Sequence, residues 1–325
     1  MIISKTPLRI TLGGGGTDIP SYFKKNGGGF LVASSIDKHI YISVNRNFSD
    51  NLLLKYSKIE NVKNIDEVEH PILRECLKMT GIQKELEISS MADIPAGTGL
   101  GSSGAFTVGL LNALHSYTGN TWRDEDLAKQ ACKIEIDILK EPIGMQDQYI
   151  AALGGLKAFE FYPDGRVVAS KLRMNSNELT HFETNLVLFY TGMRRSASEE
   201  LSALDKNISL SSEKVISNIN QIKENGLKSF NALENCDFDK YAQLMTRQWL
   251  LKLERSPTAV NLRIHKLIEL GIAAGASGGK LIGAGGGGFL LFYAERKEKL
   301  KSVMSKLNLP EISFKFDEIG SRIIN

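Results

Sequence analysis

Three clusters of glycine stand out in the 325-residue chain, at 13–29, 97–109 and 275–288, and together they hold 20 of its 30 glycines. Glycine permits positive φ and close backbone approach at an entropic cost, so each cluster marks a place where backbone comes close to something. The middle cluster carries the clearest chemistry. Pro95-Ala-Gly97-Thr-Gly99-Leu100-Gly101-Ser102-Ser103-Gly104 sets a glycine loop and two hydroxyls directly ahead of a small-residue stretch, Ser103–Tyr117, that reads as a helix. Backbone N–H groups at such a helix start, helped by the helix dipole, can cradle a di- or triphosphate. Ser102 and Ser103 could donate to phosphate or ligate Mg2+. A plain turn ending in an N-capping serine has the same composition, and at this point both readings stand.

Two other phosphate motifs do not fit. A Walker A loop needs G-x-x-x-x-G-K-[ST], and Ala274–Leu281 has alanine at the first glycine position and Leu281 in place of the metal-binding hydroxyl. Gly99-x-Gly101-x-x-Gly104 spells a dinucleotide fingerprint with Asp124 in the acidic position. However, a loop containing Pro95 separates it from the strand Leu86–Ser90, and Asp124 opens a helix rather than closing a strand.

The elements that must position these residues can be read from periodicity. Ile2–Leu12 is one strand or two, interrupted at Pro7 and stopped by Gly13. His39–Asn45 alternates with Ile40, Ile42 and Val44 on one face, and Leu52–Tyr56 is expected to pair with it across Asn47–Asn51. Pro71–Thr80 is helical, with Ile72, Leu73, Cys76 and Leu77 inward and Gly81 as the stop. Asp124 starts a helix with Leu127, Ala131, Ile134 and Ile138 inward. Gly155–Tyr162 and Arg166–Leu172 form a hairpin about Pro163-Asp164-Gly165. The polar stretch Asn175–Thr180 is the expected domain boundary, giving domains 1–177 and 178–325. Beyond it come a strand (Leu186–Tyr190), long amphipathic helices between Ser196 and Leu270, and a strand–helix–strand ending at Ile312–Phe316. Without regular βαβ alternation the expected class is α+β.

Composition narrows the partners. The net charge is +3 with no dense basic stripe, which argues against a nucleic-acid surface. The N-terminal segment has no secretory pattern and no run approaches 18 apolar residues, so the expectation is a cytoplasmic protein with no membrane partner. Cys76, Cys132 and Cys236 are widely spaced and read as free thiols. His39, His70, His115, His181 and His265 have no metal-ligand spacing.

Pro95-x-x-x-Gly99-Leu-Gly-Ser-Ser103 resembles the phosphate loop of the GHMP kinases, the family of galactokinase, homoserine kinase, mevalonate kinase and phosphomevalonate kinase. Pro7-Leu-Arg-Ile-Thr-Leu-Gly-Gly-Gly-Gly-Thr-Asp18 looks like the family's N-terminal sugar-binding segment, and Lys280-Leu-Ile-Gly-Ala-Gly-Gly-Gly-Gly-Phe289 like its C-terminal glycine motif. The three motifs share the family's order and spacing over almost the whole chain. The resemblance implies an N-terminal domain like the second domain of ribosomal protein S5, a ferredoxin-like C-terminal domain, and an active site between them.

It also implies roles. Asp147, in Gly144-Met-Gln-Asp-Gln, falls at the catalytic base of the sugar-kinase branch, and Arg9 at the arginine beside it. Ser103 and Glu135 match the Mg2+ ligands. Pro95, Gly97, Gly99, Leu100, Gly101, Ser102 and Ser103 would bind the phosphates of ATP. Gly14, Gly15, Gly16, Thr17 and Asp18 would face the sugar, with Gly285 and Gly286 closing the cleft. Galactokinase has Gly-Glu-His-Thr-Asp where this chain has Gly14-Gly15-Gly16-Thr17-Asp18, a departure that weighs against galactose. GGGTD with Thr191-Gly-Met-Arg-Arg195 looks most like the D-glycero-D-manno-heptose 7-phosphate kinase branch, which phosphorylates the anomeric hydroxyl on the way to nucleotide-activated heptose. Arg195 would then clamp the 7-phosphate. An L-fucose kinase-type or galactokinase-like enzyme and an idle sugar sensor are the alternatives, and monomer and homodimer are both open.

Overall fold

The structure, a computed structural model, describes residues 1–193, 197–283 and 285–324. Its strands are β1 (Ile2–Gly14), β2 (Gly29–Arg46), β3 (Leu52–Lys55), β4 (Ile59–Val62), β5 (Leu86–Ala92), β6 (Leu156–Phe161), β7 (Val167–Lys171), β8 (Leu186–Tyr190), β9 (Gly278–Leu281), β10 (Phe289–Tyr293), β11 (Glu311–Ile312) and β12 (Arg322–Ile323). The helices are α1 (Pro20–Phe23), α2 (Pro71–Thr80), α3 (Ser102–Tyr117), α4 (Asp124–Cys132), α5 (Gln146–Leu153), α6 (Ser176–Asn185), α7 (Ala197–Ser209), α8 (Glu213–Glu234), α9 (Phe238–Arg255), α10 (Ala259–Ala273) and α11 (Glu298–Lys306).

On β1, Leu8, Ile10 and Leu12 are wholly buried and alternate with Arg9 and Thr11, which line a cleft. Pro7 does not break the strand. It sits at a register shift in the pairing with β2, and a second shift falls between Thr11 and Gly13. The first sheet runs β12-β1-β2-β5-β3-β4, with β6 paired to the other end of the long β2 and β7 outside it. The hairpin at 163–165 forms as expected, closed by bonds between Tyr162, Gly165 and Arg166. β3 does not pair with β2: β5 intervenes, and β3 runs parallel to it. The polar turn after β2 therefore carries the chain one place further across the sheet.

The helix opened by Asp124 also departs from a regular face. Leu127, Ala131 and Ile134 are buried, but the chain continues over Lys133–Ile138 as a π-helical segment, in which the Leu139 amide bonds the Ile134 carbonyl. The wider turn needs one more residue, so Ile138 swings outward to 42% exposure while Glu135 stays fully inside.

The polar stretch from Asn175 opens α6 with a capping box, Asn175 and Glu178 exchanging bonds with each other's backbone. The chain then enters the second, four-stranded antiparallel sheet, β11-β8-β10-β9. The expected strand Ile312–Phe316 shrinks to β11, because Phe316 leaves to bridge Ile36 of the first sheet. β12 was not foreseen; it pairs with Ser4 and Lys5 of β1. One apolar core runs from β1, β2 and α3 through to Leu188, Leu291 and Tyr293 of the second sheet, and a smaller one lies between that sheet, α10 and α11. The three cysteines are free, and among the described residues no group of three or more His, Cys, Asp or Glu side chains placed to hold a metal ion and no helix long and apolar enough to cross a membrane is found.

Candidate active site

A cavity of about 830 Å3 lies between the two sheets. Its floor is the start of α5, where three successive residues each hold a different part of the site. Gln146 donates its amide to Asp18 (3.2 Å) and accepts from Thr11 Oγ1 through its side chain (2.9 Å). Asp147 receives a bidentate pair from Arg9, Nε to Oδ1 at 2.7 Å and Nη2 to Oδ2 at 2.9 Å. Gln148 donates to Glu135 Oε1 at 2.9 Å. Planar guanidinium and carboxylate match in this fork, which fixes both rotamers. Each Asp147 oxygen keeps a second lone pair free of Arg9.

The glycine–serine loop forms one wall. Gly97, Gly99 and Gly101 have positive φ, and the chain enters α3 with no side-chain cap and no acidic residue in the first turn. That leaves the positive end of a 16-residue helix open to the cavity. Arg9 Nη1 also bonds the Gly99 carbonyl at 2.6 Å, which ties the loop to the Arg9–Asp147 pair. Across the cleft, Gly99 and Gly283 meet backbone to backbone: a Cβ on Gly283 would stand 2.7 Å from Gly99 Cα.

Ser103 Oγ donates to Glu135 Oε2 at 2.5 Å. Glu135 is fully buried, and burial raises its pKa against the opposing bonds from Ser103 and Gln148. Ser102 Oγ is buried without a partner. Asp18 is buried, its Oδ1 has no partner, and burial pushes its pKa up to about 6. A buried acceptor with no donor stands ready for a ligand's hydroxyl.

The remaining residues expected at the site are distributed unevenly. Gly14, Gly15 and Gly16 all take positive φ and line the cavity beside Asp18. Thr17 does not line it; its hydroxyl is spent on the backbone of Phe30, pinning the turn to β2. Leu100 is core, its carbonyl bonded by the Arg9 amide, and Pro95 serves the turn by accepting from Thr98 Oγ1. Gly286 donates to Asn261 and Gly285 packs against Glu200, so the C-terminal loop meets the cavity through Gly283. Arg195 lies outside the described residues.

Two regions were missed. An apolar wing of the cavity is lined by Ile40, Tyr56, Ile72, Met91, Ile94 and Phe106. On the other side α9 brings Gln248, Lys252 and Arg255 to the cavity, with Lys280 of β9 behind them. Gln248 donates to the Gly14 carbonyl, Lys252 to that of Gly283, and Lys280 to that of Leu12 (3.0 Å). Burial, then neighbouring cations, brings Lys252 and Lys280 down to about 7. The spacing 248, 252, 255 was visible, but on an amphipathic helix it reads as a solvated face.

Comparison with known proteins turns this geometry into a family. Residues 67–155 match the GHMP kinases N terminal domain, and residues 230–310 match the GHMP kinases C terminal domain, together more than half of the chain. The chain belongs to the GHMP kinases. The first match spans the phosphate loop, Glu135 and Asp147, and the second spans α9 and the glycines of 275–288. D-glycero-alpha-D-manno-heptose 7-phosphate kinase of Campylobacter jejuni is 29% identical over 310 residues, 92% of this chain and 91% of that one. The bifunctional fucokinase/GDP-fucose pyrophosphorylase of Arabidopsis thaliana is 28% identical over 76% of this chain, which spans 24% of that larger protein. The fold is shared with the crystal structure of a D-glycero-D-manno-heptose 1-phosphate kinase from Bacteroides thetaiotaomicron, with TM-score 0.82, 24% identity, and coverage of 100% and 99%. This GHMP kinase therefore has the two-domain α+β fold of its family and is a phosphotransferase.

Proposed function

We propose that this GHMP kinase transfers the γ-phosphoryl group of ATP to the anomeric hydroxyl of D-glycero-D-manno-heptose 7-phosphate, yielding the 1,7-bisphosphate in the cytoplasm. The observation that carries the reading is one cavity holding both the open N-terminus of α3 and the Arg9–Asp147–Asp18 constellation. Adenine fits the apolar wing between Ile40 and Phe106, and the triphosphate fits the amides of 101–104. The sugar fits the turn Gly14–Gly16, with a hydroxyl donating to Asp18 Oδ1. The acceptor oxygen attacks phosphorus in line, the bond to the β-phosphate oxygen breaks, ADP leaves, and Asp147 takes the hydroxyl proton. Arg9 holds the carboxylate in place and offsets charge on the transferring group.

Ser103 and Glu135 fit a Mg2+ ion: one carboxylate and one hydroxyl, both hard oxygen donors, leave its other positions for phosphates and water. Burial that disfavours a lone Glu135 carboxylate favours a bound cation. When present, the ion neutralises phosphate charge.

The heptose reading is supported by the name of the Campylobacter jejuni relative, matched over nearly full length. The Bacteroides thetaiotaomicron protein is named for the 1-phosphate instead, and the Arabidopsis thaliana relative supports L-fucose as the alternative acceptor. An ADP-release assay against free and phosphorylated heptoses, L-fucose and galactose, with the product's new phosphate located by NMR, decides among them. Asp147→Asn is expected to bind ATP and sugar while turnover falls about 100-fold or more. Near-normal turnover in that variant would remove Asp147 from the reaction.

A further inference from the structure

We propose that Lys252 and Arg255, on one face of α9, receive the phosphate group that the acceptor already carries, and so select phosphorylated over free sugars. This rests on the sugar-kinase reading above. Positions 248, 252 and 255 share one helix face, and all three line the cavity. Gln248 marks the sugar end, because it holds the Gly14 carbonyl. Two helical turns, about 10 Å, lead from it to Arg255, comparable with a seven-carbon sugar bearing a terminal ester.

The cations there are under-compensated. Lys252 donates to a carbonyl and Lys280 behind it to another. Arg255 Nη1 is buried with no partner. Glu200 of α7, which also lines the cavity, faces both Lys252 and Arg255 electrostatically and accepts from Ser256, one carboxylate for the two cations. Among the described residues, none of Lys252, Arg255 and Lys280 has a carboxylate within 4.0 Å. Lys280 is buried and Lys252 and Arg255 are half-buried, and positive charge gathered there is costly unless an anion completes it. Arg9 cannot supply the missing balance, being a cation itself and already paired with Asp147. The triphosphate of ATP has its own receptor in the start of α3 and its two serines. A free sugar brings no charge to this wall, whereas a phosphate monoester brings about −1.5 to −2 and oxygens enough for both side chains.

The test compares kcat/KM for heptose 7-phosphate with kcat/KM for the dephosphorylated heptose in Lys252→Met, Arg255→Gln and the double variant, with KM for ATP measured alongside. Thermal unfolding checks that each variant is folded, and Lys252→Arg and Arg255→Lys, which keep the charge, serve as the second series. The expected result is that selectivity for the phosphorylated acceptor falls about 30-fold or more in the charge-removing variants, through KM for that acceptor. The charge-keeping variants should retain most of it. Equal losses on both acceptors, or a rise confined to KM for ATP, overturns the proposal; the latter places these cations on the triphosphate. If the wild-type enzyme turns over no sugar at all, the sugar-kinase reading fails first and this proposal with it.

Discussion

Asp18 shows how one residue can cost stability in order to bind. Its carboxyl is buried, with Oδ2 on the Gln146 amide and Oδ1 on nothing. Burial, with the nearby Asp147 adding to it, holds the pKa at about 6, against about 3.9 in an unfolded chain. The folded state keeps a proton that the unfolded chain has released between those values. Stability from this group therefore falls as pH rises from about 4 to 6, and the ionised form remains a cost above that. Asp18→Asn removes the buried charge and keeps an acceptor for Gln146. We expect it to raise unfolding free energy by up to roughly 3 kcal/mol at pH 8, since each tenfold change in proton affinity is worth about 1.4 kcal/mol, with the gain vanishing near pH 4. Turnover should fall, because with the amide oxygen on Gln146 the other position carries an NH2 group, which cannot accept the sugar hydroxyl. Urea titrations at the two pH values measure the first effect, and lower stability at pH 8 would contradict this account.

At the scale of elements, the site depends on segments that meet without being neighbours in sequence. Gly99 and Gly283 touch through backbone, and Gly283 has φ +87°. Gly283→Ala brings a Cβ into contact with Gly99 Cα and carbonyl, neither of which can rotate away. We expect KM for ATP to rise about tenfold or more, beyond the roughly 1–3 kcal/mol stability cost of the unfavourable φ itself. Gly165→Ala separates the two effects, since it has φ +89° and open space around it. It should lose comparable stability while KM for ATP stays near wild type, and an equal rise in both variants would assign the effect to strain alone.

The same contrast explains what could be read from sequence. The helix after Ser103, the hairpin at 163–165 and the alternation of Ile40, Ile42 and Val44 follow from local periodicity and turn chemistry, and all three appear. The place of β5 between β2 and β3, the π turn that turns Ile138 outward, and the return of β12 to β1 depend on contacts between distant segments. Lys252 and Arg255 escaped notice for a related reason. Charge on a helix face looks solvated until another element is known to cover it.

At the scale of the whole molecule, the last residues strap the two sheets together. After β11 pairs with β8, Phe316 bridges Ile36, and Asp317 exchanges backbone bonds with Ser35 and Gly155. Its side chain accepts from His39 Nε2 at 2.7 Å and from both Arg322 Nη atoms at 3.2 Å. Ser321 then bonds the Ala151 carbonyl of α5, the helix that begins with Asp147's turn. Asp317→Ala removes the carboxylate that Arg322 and His39 share, leaving Arg322 without an ion-pair partner among the described residues and His39 with Asp93 alone, a loss of about 3 kcal/mol for a partly buried network. The partners hold the Asp317 pKa below its ordinary value in spite of burial, so this contribution is full above about pH 4 and fades as pH falls through the folded pKa. Whether the strap alone couples the halves can be measured with Trp249, which is buried against the second sheet's core, in a Trp122→Phe background that silences the tryptophan half-exposed beside His115. Because the larger core is continuous from β1 to β10, Trp249 fluorescence and helical circular dichroism should give coincident urea midpoints with and without Asp317, both shifted down together in the variant. Midpoints that separate only in Asp317→Ala would show that the strap, and not the shared core, makes the two halves unfold as one.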